Sequence, residues 1–131
     1  MLIYHLSTNS NLTKLTPRIP KYAVESCEDI STKRICFAKS IEGCLSALQD
    51  IIPETYYVYI PAKNINKYNL YFPTVYDVID GPSNGEVWIL EEVDVICIGK
   101  IYCFENPYNR KINTKRGVTY FHHHNYMYID K

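Results

Sequence analysis

The sequence predicts an α+β fold, one compact domain over residues 1–131 in which a mixed, mostly antiparallel sheet carries one main helix at about residues 40–50. Three observations predict it. A single segment has the apolar spacing of an amphipathic helix, and about six others are rich in β-branched and aromatic residues. Turn-forming residues separate these segments without the regular strand and helix alternation of a doubly wound sheet. The length suits one core rather than two.

Residues 2–6 read as a first strand. The following "STNSNLTKLTPRIP" is rich in Ser, Thr, Asn and Pro, which favour a long positioned loop. "RICFAKS", residues 34–40, reads as a second strand, and Ser40 stands where an N-cap receives the amides of a new helix. That helix is supported by Ile41, Cys44, Leu45 and Leu48, at i, i+3, i+4 and i+7, with Pro53 soon after. "TYYVYIPA", residues 55–62, is a strand closed by Pro61. Residues 63–85 read mostly as loop, with a short helical turn expected around "TVYDVID" and a tight turn at "DGPSNG". Residues 86–105 contain two apolar runs, Val87 to Leu90 and Val93 to Ile98, and Gly99 permits a bulge before Lys100 to Phe104. The polar "NPYNRKINTKRG" then leads to "VTYFHHHNYMYI", a candidate last strand against the sheet.

Composition narrows the function classes. Hydrophobic residues make up 47% of the chain, thirteen residues are tyrosine, and the formal charge is zero, which fits a packed core rather than disorder. The neutral total gives no general attraction for nucleic acid, so no nucleic-acid partner is expected and any phosphate site must be local. No apolar run reaches the roughly twenty residues of a membrane span. No membrane partner is expected, and the lack of a secretory signal predicts a cytoplasmic protein. Tyrosine-rich surfaces also serve interfaces, which leaves a homo-oligomer open. The five cysteines, Cys27, Cys36, Cys44, Cys97 and Cys103, contain no C-x-x-C pair and read as small reduced core residues. The abundance of Asn, Ile, Lys and Tyr suggests an AT-rich genome such as that of a low-GC bacterium or its phage.

Neither the dinucleotide and P-loop glycine patterns nor H-E-x-x-H occurs. His122 and His124 would share a face of a strand, but no Cys or acidic residue stands at ligand spacing, and no metal is expected. Three pieces carry the remaining signal: "IYHLST", "RICFAKSIEGCLSAL" and "NGEVWILEEVDVICIGKI". Their order resembles the ADP-ribosyltransferase fold, particularly its small branch of rifampin ADP-ribosyltransferases and the transferases that remove a 2′-phosphate from tRNA with NAD. Tyr4, His5 and then Ser7 or Thr8 match the family's first strand. Arg34 to Ser40 followed by Ile41 to Leu48 match its aromatic strand running into a helix, and Glu86 followed by Val95 to Ile101 matches its acidic residue and apolar run.

The resemblance implies a split sheet and NAD, or an ADP-ribose-type nucleotide, as substrate or ligand. It implies that His5 anchors a ribose hydroxyl and that Glu86 is the acid near the developing oxocarbenium centre. The helix starting after Ser40 would turn its amides toward a diphosphate, with Arg18, Arg34 and Lys39 as further phosphate contacts. Cys36 stands where the family has a stacking tyrosine or a second histidine, and Phe37 points to the opposite face if the strand alternates. Strand register decides whether Glu86, Glu91, Glu92 or Asp94 takes the acidic position. Two functions follow as expectations: ADP-ribosyl transfer or NAD cleavage, and capture of an NAD-derived nucleotide signal of a bacterial defence system without turnover.

Overall fold

The computed structural model describes residues 1–21, 23–24, 28–47, 54–104, 110–114, 117–121 and 125–129. It is α+β, and every strand pairing among the described residues is antiparallel. The strands are β1 (His5–Ser7), β2 (Lys14–Leu15), β3 (Ile35–Ala38), β4 (Glu54–Pro61), β5 (Leu70–Tyr71), β6 (Glu86–Ile89), β7 (Val93–Phe104), β8 (Arg110–Thr114), β9 (Gly117–Phe121) and β10 (Asn125–Ile129). The larger sheet has the order β1-β4-β7-β10, with β2 pairing on β7. The smaller has the order β3-β6-β5, and β8 and β9 form a hairpin of their own.

A bulge divides the larger sheet into two cores. Val58 lies opposite Gly99 but Tyr59 lies opposite Cys97, so Ile98 is the additional residue of β7, beside the glycine expected to permit it. An added residue moves the odd-numbered side chains of β7 from one face of the sheet to the other. Before the bulge, Val93, Val95 and Cys97 join Tyr59, Phe37, Val87 and Ile89 in one apolar cluster. After it, Ile101 and Cys103 join Tyr56, Val58, Ile41 and Leu45 in a second. The first cluster binds the two sheets together, and the second seats helix α1 (Ile41–Ser46). Each large apolar side chain fully buried in this way contributes roughly 1.5–3 kcal/mol.

Helix α1 starts where the sequence places it, with the Gly43 amide donating to Ser40 Oγ at 2.9 Å. It is shorter than the helix of about 40–50 expected, because its described turns end at Ser46; Leu48 lies outside the described residues. Helix α2 (Gly81–Asn84) falls in "DGPSNG", where a tight turn is expected, while "TVYDVID" supplies only turns. Pro82 presets the helical φ in its first turn, and Gly85 closes it in the left-handed region at φ 67°. The Asn84 carbonyl stands where a Cβ on residue 43 would be, so a glycine is required there for α1 and α2 to meet. The expected loop after β1 contains β2, held to β7 through Lys14 opposite Asp94 and Leu15 opposite Val93. The last strand does pair with the sheet, as β10 along β7. His122 to His124 and Cys27 lie outside the described residues.

Candidate functional site

The site starts at the edge of β3 that β6 does not occupy. Tyr4 and Ala38 exchange both backbone hydrogen bonds, at 2.8 and 2.9 Å, and Arg18 and Arg34 do the same at 3.1 and 3.0 Å. Between these two bridges the Cys36 carbonyl points outward along the same edge, because carbonyls of alternate residues in a strand share a direction. His5 Nδ1 takes the place of a ladder amide there, 2.9 Å from Cys36 O. Its ring lies 5.7 Å from that of Phe37, tilted by 57°. The imidazole thus fills the point where the two sheets part, with Tyr4 on one side of it and Arg18 on the other.

The tautomer follows from the partner. A carbonyl only accepts, so Nδ1 carries the hydrogen. Burial lowers the His5 pKa, the nearby Arg18 cation lowers it further, and the bond to Cys36 O only partly opposes them. The ring is neutral at pH 7, and Nε2 is left as an acceptor. A neutral imidazole fixed through one nitrogen is suited to take a hydroxyl proton at the other.

On the β6 side of β3 the residues alternate between two faces. Ile35, Phe37, Val87 and Ile89 are buried in the apolar cluster, so Phe37 does face away from Cys36 as alternation predicts. The other face carries Arg34, Cys36, Glu86 and Trp88, with Trp88 directly opposite Cys36 in register. Arg34 is 1% exposed, and its Cζ stands over the Trp88 ring, 4.1 Å from the centroid. Its Nη1 donates to Asp29 O at 2.7 Å and Thr32 O at 2.9 Å, and Nε and Nη2 have no hydrogen-bond partner. Glu86 is 6% exposed and accepts from Trp88 Nε1 at 2.8 Å.

Burial pushes the Glu86 carboxyl above its usual range, the Trp88 bond partly opposing it. Burial and the nearby Glu86 together push Glu28 up to about 7. Burial also raises the Cys36 thiol to about 12, which leaves it protonated and a poor nucleophile. Asp29 behaves oppositely, because Thr32 and Ser31 donate to its carboxylate and hold it well below the usual range.

Of the predicted site residues, Tyr4, His5 and Arg18 come together along the β3 edge, and Arg34, Cys36 and Glu86 come together on a face of the small sheet. The groups that perturb His5 are Cys36 and Arg18, whereas those that perturb Glu86 are Trp88, Asp80, Cys36 and Arg34. Ser7 Oγ accepts from Asn9 N at 3.1 Å and shapes the loop after β1. Lys39 is exposed, with Nζ 5.5 Å over the Phe72 ring, and Ser40 is occupied as the cap of α1. Among the four acidic candidates Glu86 alone is buried. Glu91 accepts from Asn69 N at 2.9 Å, Glu92 pairs with Lys14 at 3.1 Å, and Asp94 is an exposed residue of β7.

Sequence reasoning missed Trp88 and Glu28. The period of two from Glu86 to Trp88 signals a shared face, whereas Glu28 is brought in by a loop and carries no local signal. No group of three or more metal-ligating side chains occurs among the described residues. Among them, too, no helix is long and apolar enough to cross a membrane. Comparison with protein-family models, with curated proteins and with solved structures gives no match to this chain.

Proposed function

We propose that this chain binds an NAD-derived nucleotide of the ADP-ribose type and holds it without cleaving it. The observation that carries the reading is the His5 imidazole, neutral and fixed through Nδ1 on Cys36 O, with Nε2 left to accept from a ribose hydroxyl. Arg18, exposed and on the same β3 edge, supplies a cation for the adjoining diphosphate. Capture is favoured over cleavage by the state of Glu86. Stabilising an oxocarbenium centre needs an ionised carboxylate aimed at it. Glu86 is buried, already accepts from Trp88, and is pushed toward its neutral form. The role this reading implies is sequestration of an NAD-derived signal of a bacterial defence system.

Thermal unfolding with added ADP-ribose, NAD or AMP tests it. A ligand held by the folded state at about a hundred times its Kd adds ~2.7 kcal/mol of stability. The midpoint is expected to rise with ADP-ribose, to stay unchanged in His5→Ala, and to be accompanied by no nicotinamide release from NAD. No rise with any of the three ligands overturns the reading. Nicotinamide release that Glu86→Gln abolishes would replace capture by cleavage.

A further inference from the structure

The charges of this chain are unevenly spread. Between Asn106 and Ile129 the sequence contains Arg110, Lys111, Lys115 and Arg116 and no acidic residue. Of fourteen basic and fourteen acidic residues overall, that leaves ten basic against fourteen acidic elsewhere, so a segment of charge +4 is joined to a remainder of −4. The neutral total, from which no nucleic-acid partner is expected, averages these two parts.

The backbone gives the basic segment its form. Strands β8 and β9 pair with each other and hydrogen-bond to no other described strand. In their register Arg110 stands opposite Phe121, and Lys111 stands opposite Tyr120. Successive residues of a strand take opposite faces, so each face of this two-stranded ribbon carries one basic position paired with one aromatic position. Directly opposed positions of a strand pair are close neighbours, so a basic position stands beside an aromatic position on each face.

We propose that the β8–β9 hairpin binds single-stranded nucleic acid, its basic positions meeting phosphates and its aromatic positions stacking on bases. Phosphate binding by cations combined with base stacking on aromatic rings is how proteins hold single strands without reading their sequence. An acidic protein surface would satisfy the cations but leave the two aromatic positions without planar partners, so nucleic acid fits the paired arrangement better. The acidic remainder repels a polyanion, which confines binding to the hairpin. The proposal does not depend on His5 at the β3 edge, and its failure leaves the nucleotide-capture reading untouched.

The test is fluorescence anisotropy of labelled oligo-dT and oligo-U of about twenty nucleotides, titrated with the full chain at several salt concentrations. If all four basic residues of the segment neutralise phosphates, log K falls with log salt at a slope of about −2.8. Affinity then drops about 50-fold between roughly 50 and 200 mM salt. Replacing Arg110→Ser and Lys111→Ser together is expected to reduce the slope by about 1.4, whereas Arg110→Lys and Lys111→Arg keep it. Tyr120→Ala with Phe121→Ala is expected to weaken binding at least about tenfold with the slope unchanged. Removing Lys63 and Lys67, which are exposed and outside the hairpin, leaves binding as it was. Absence of binding at the lowest salt overturns the proposal, as does an unchanged slope in Arg110→Ser/Lys111→Ser. Displacement of the oligonucleotide by polyglutamate as effective as by unlabelled oligonucleotide overturns it in favour of an acidic polypeptide.

Discussion

Strands β3 and β6 present two faces made from alternate residues of the same short segments, and the two faces differ in kind. Ile35, Phe37, Val87 and Ile89 form a purely apolar face whose burial needs no partner beyond other hydrocarbon. Arg34, Cys36, Glu86 and Trp88 form a face on which Cys36 is half-buried and the other three are buried, a guanidinium and a carboxyl among them. The first face joins the two sheets. The second ties the segment at Asp29 and Thr32 to the small sheet through Arg34. Taking away the partner of a buried polar group is costly, because the group left behind is neither solvated nor hydrogen-bonded. The difference teaches that the apolar face makes the fold, while the charged face sets the position of a loop and keeps Glu86 engaged.

The sharpest way to break this comparison is a double-mutant cycle on Arg34 and Glu86. Arg34→Met strips the Asp29 and Thr32 carbonyls of their donor, at ~1–3 kcal/mol for each, and removes a cation that favours the ionised form of Glu86. Adding Glu86→Gln to Arg34→Met is expected to recover part of that loss in urea unfolding; strictly additive losses would show that the two groups do not act together. Phe37→Ala on the other face costs a similar ~3–5 kcal/mol through its cavity, but Glu86→Gln should not relieve it. A smaller effect comes from Trp88→Phe, which keeps most of the packing under Arg34 while removing the Nε1 donor. The expected loss is ~1–3 kcal/mol, the cost of leaving the Glu86 acceptor buried and unmet. A Trp88→Phe chain as stable as the parent would mean that the hydrogen bond does not hold Glu86.

How far the sequence reaches is clearest in particular residues. The Ser40 cap, the strand of β4 and the opposite facing of Cys36 and Phe37 were legible, because each depends on neighbours within a few positions. The bulge was half legible: Gly99 signals it, but that Ile98 is the added residue depends on pairing with Val58 and Tyr59. His5 was singled out as a site residue, although its bond to Cys36 O spans thirty-one positions of sequence and has no local signature. Glu86 was equally singled out without its surroundings, since Trp88 shares its face by period but Glu28 and Arg34 come from segments far away. Helix α2 was misread because "DGPSNG" suits a turn as well as a short helix, and only the close approach of Asn84 to Gly43 selects the helix. The charge of the hairpin was concealed by the neutral sum for the whole chain.

The finest test of the comparison uses pH, because His5 at the β3 edge and Glu28 beside the charged face act in opposite directions. Glu28 keeps its proton up to about pH 7 in the folded chain, well above the ordinary glutamate value of 4.5. Between those values the folded state binds more protons than the unfolded state, so the Glu28 contribution to stability falls as pH rises. Glu86, also raised, adds in the same direction. For His5 the sign is reversed, since its lowered pKa means that the unfolded chain takes up a proton below about 6.5 that the folded chain refuses, and stability is gained as pH rises through that range. Unfolding midpoints measured from pH 5 to pH 7 should therefore climb more steeply in Glu28→Gln than in the parent, and less steeply in His5→Gln. Parallel profiles for Glu28→Gln and the parent would show that the charged face does not hold the Glu28 proton, and would leave the Arg34 bonds to Asp29 and Thr32 as what ties that face to the loop.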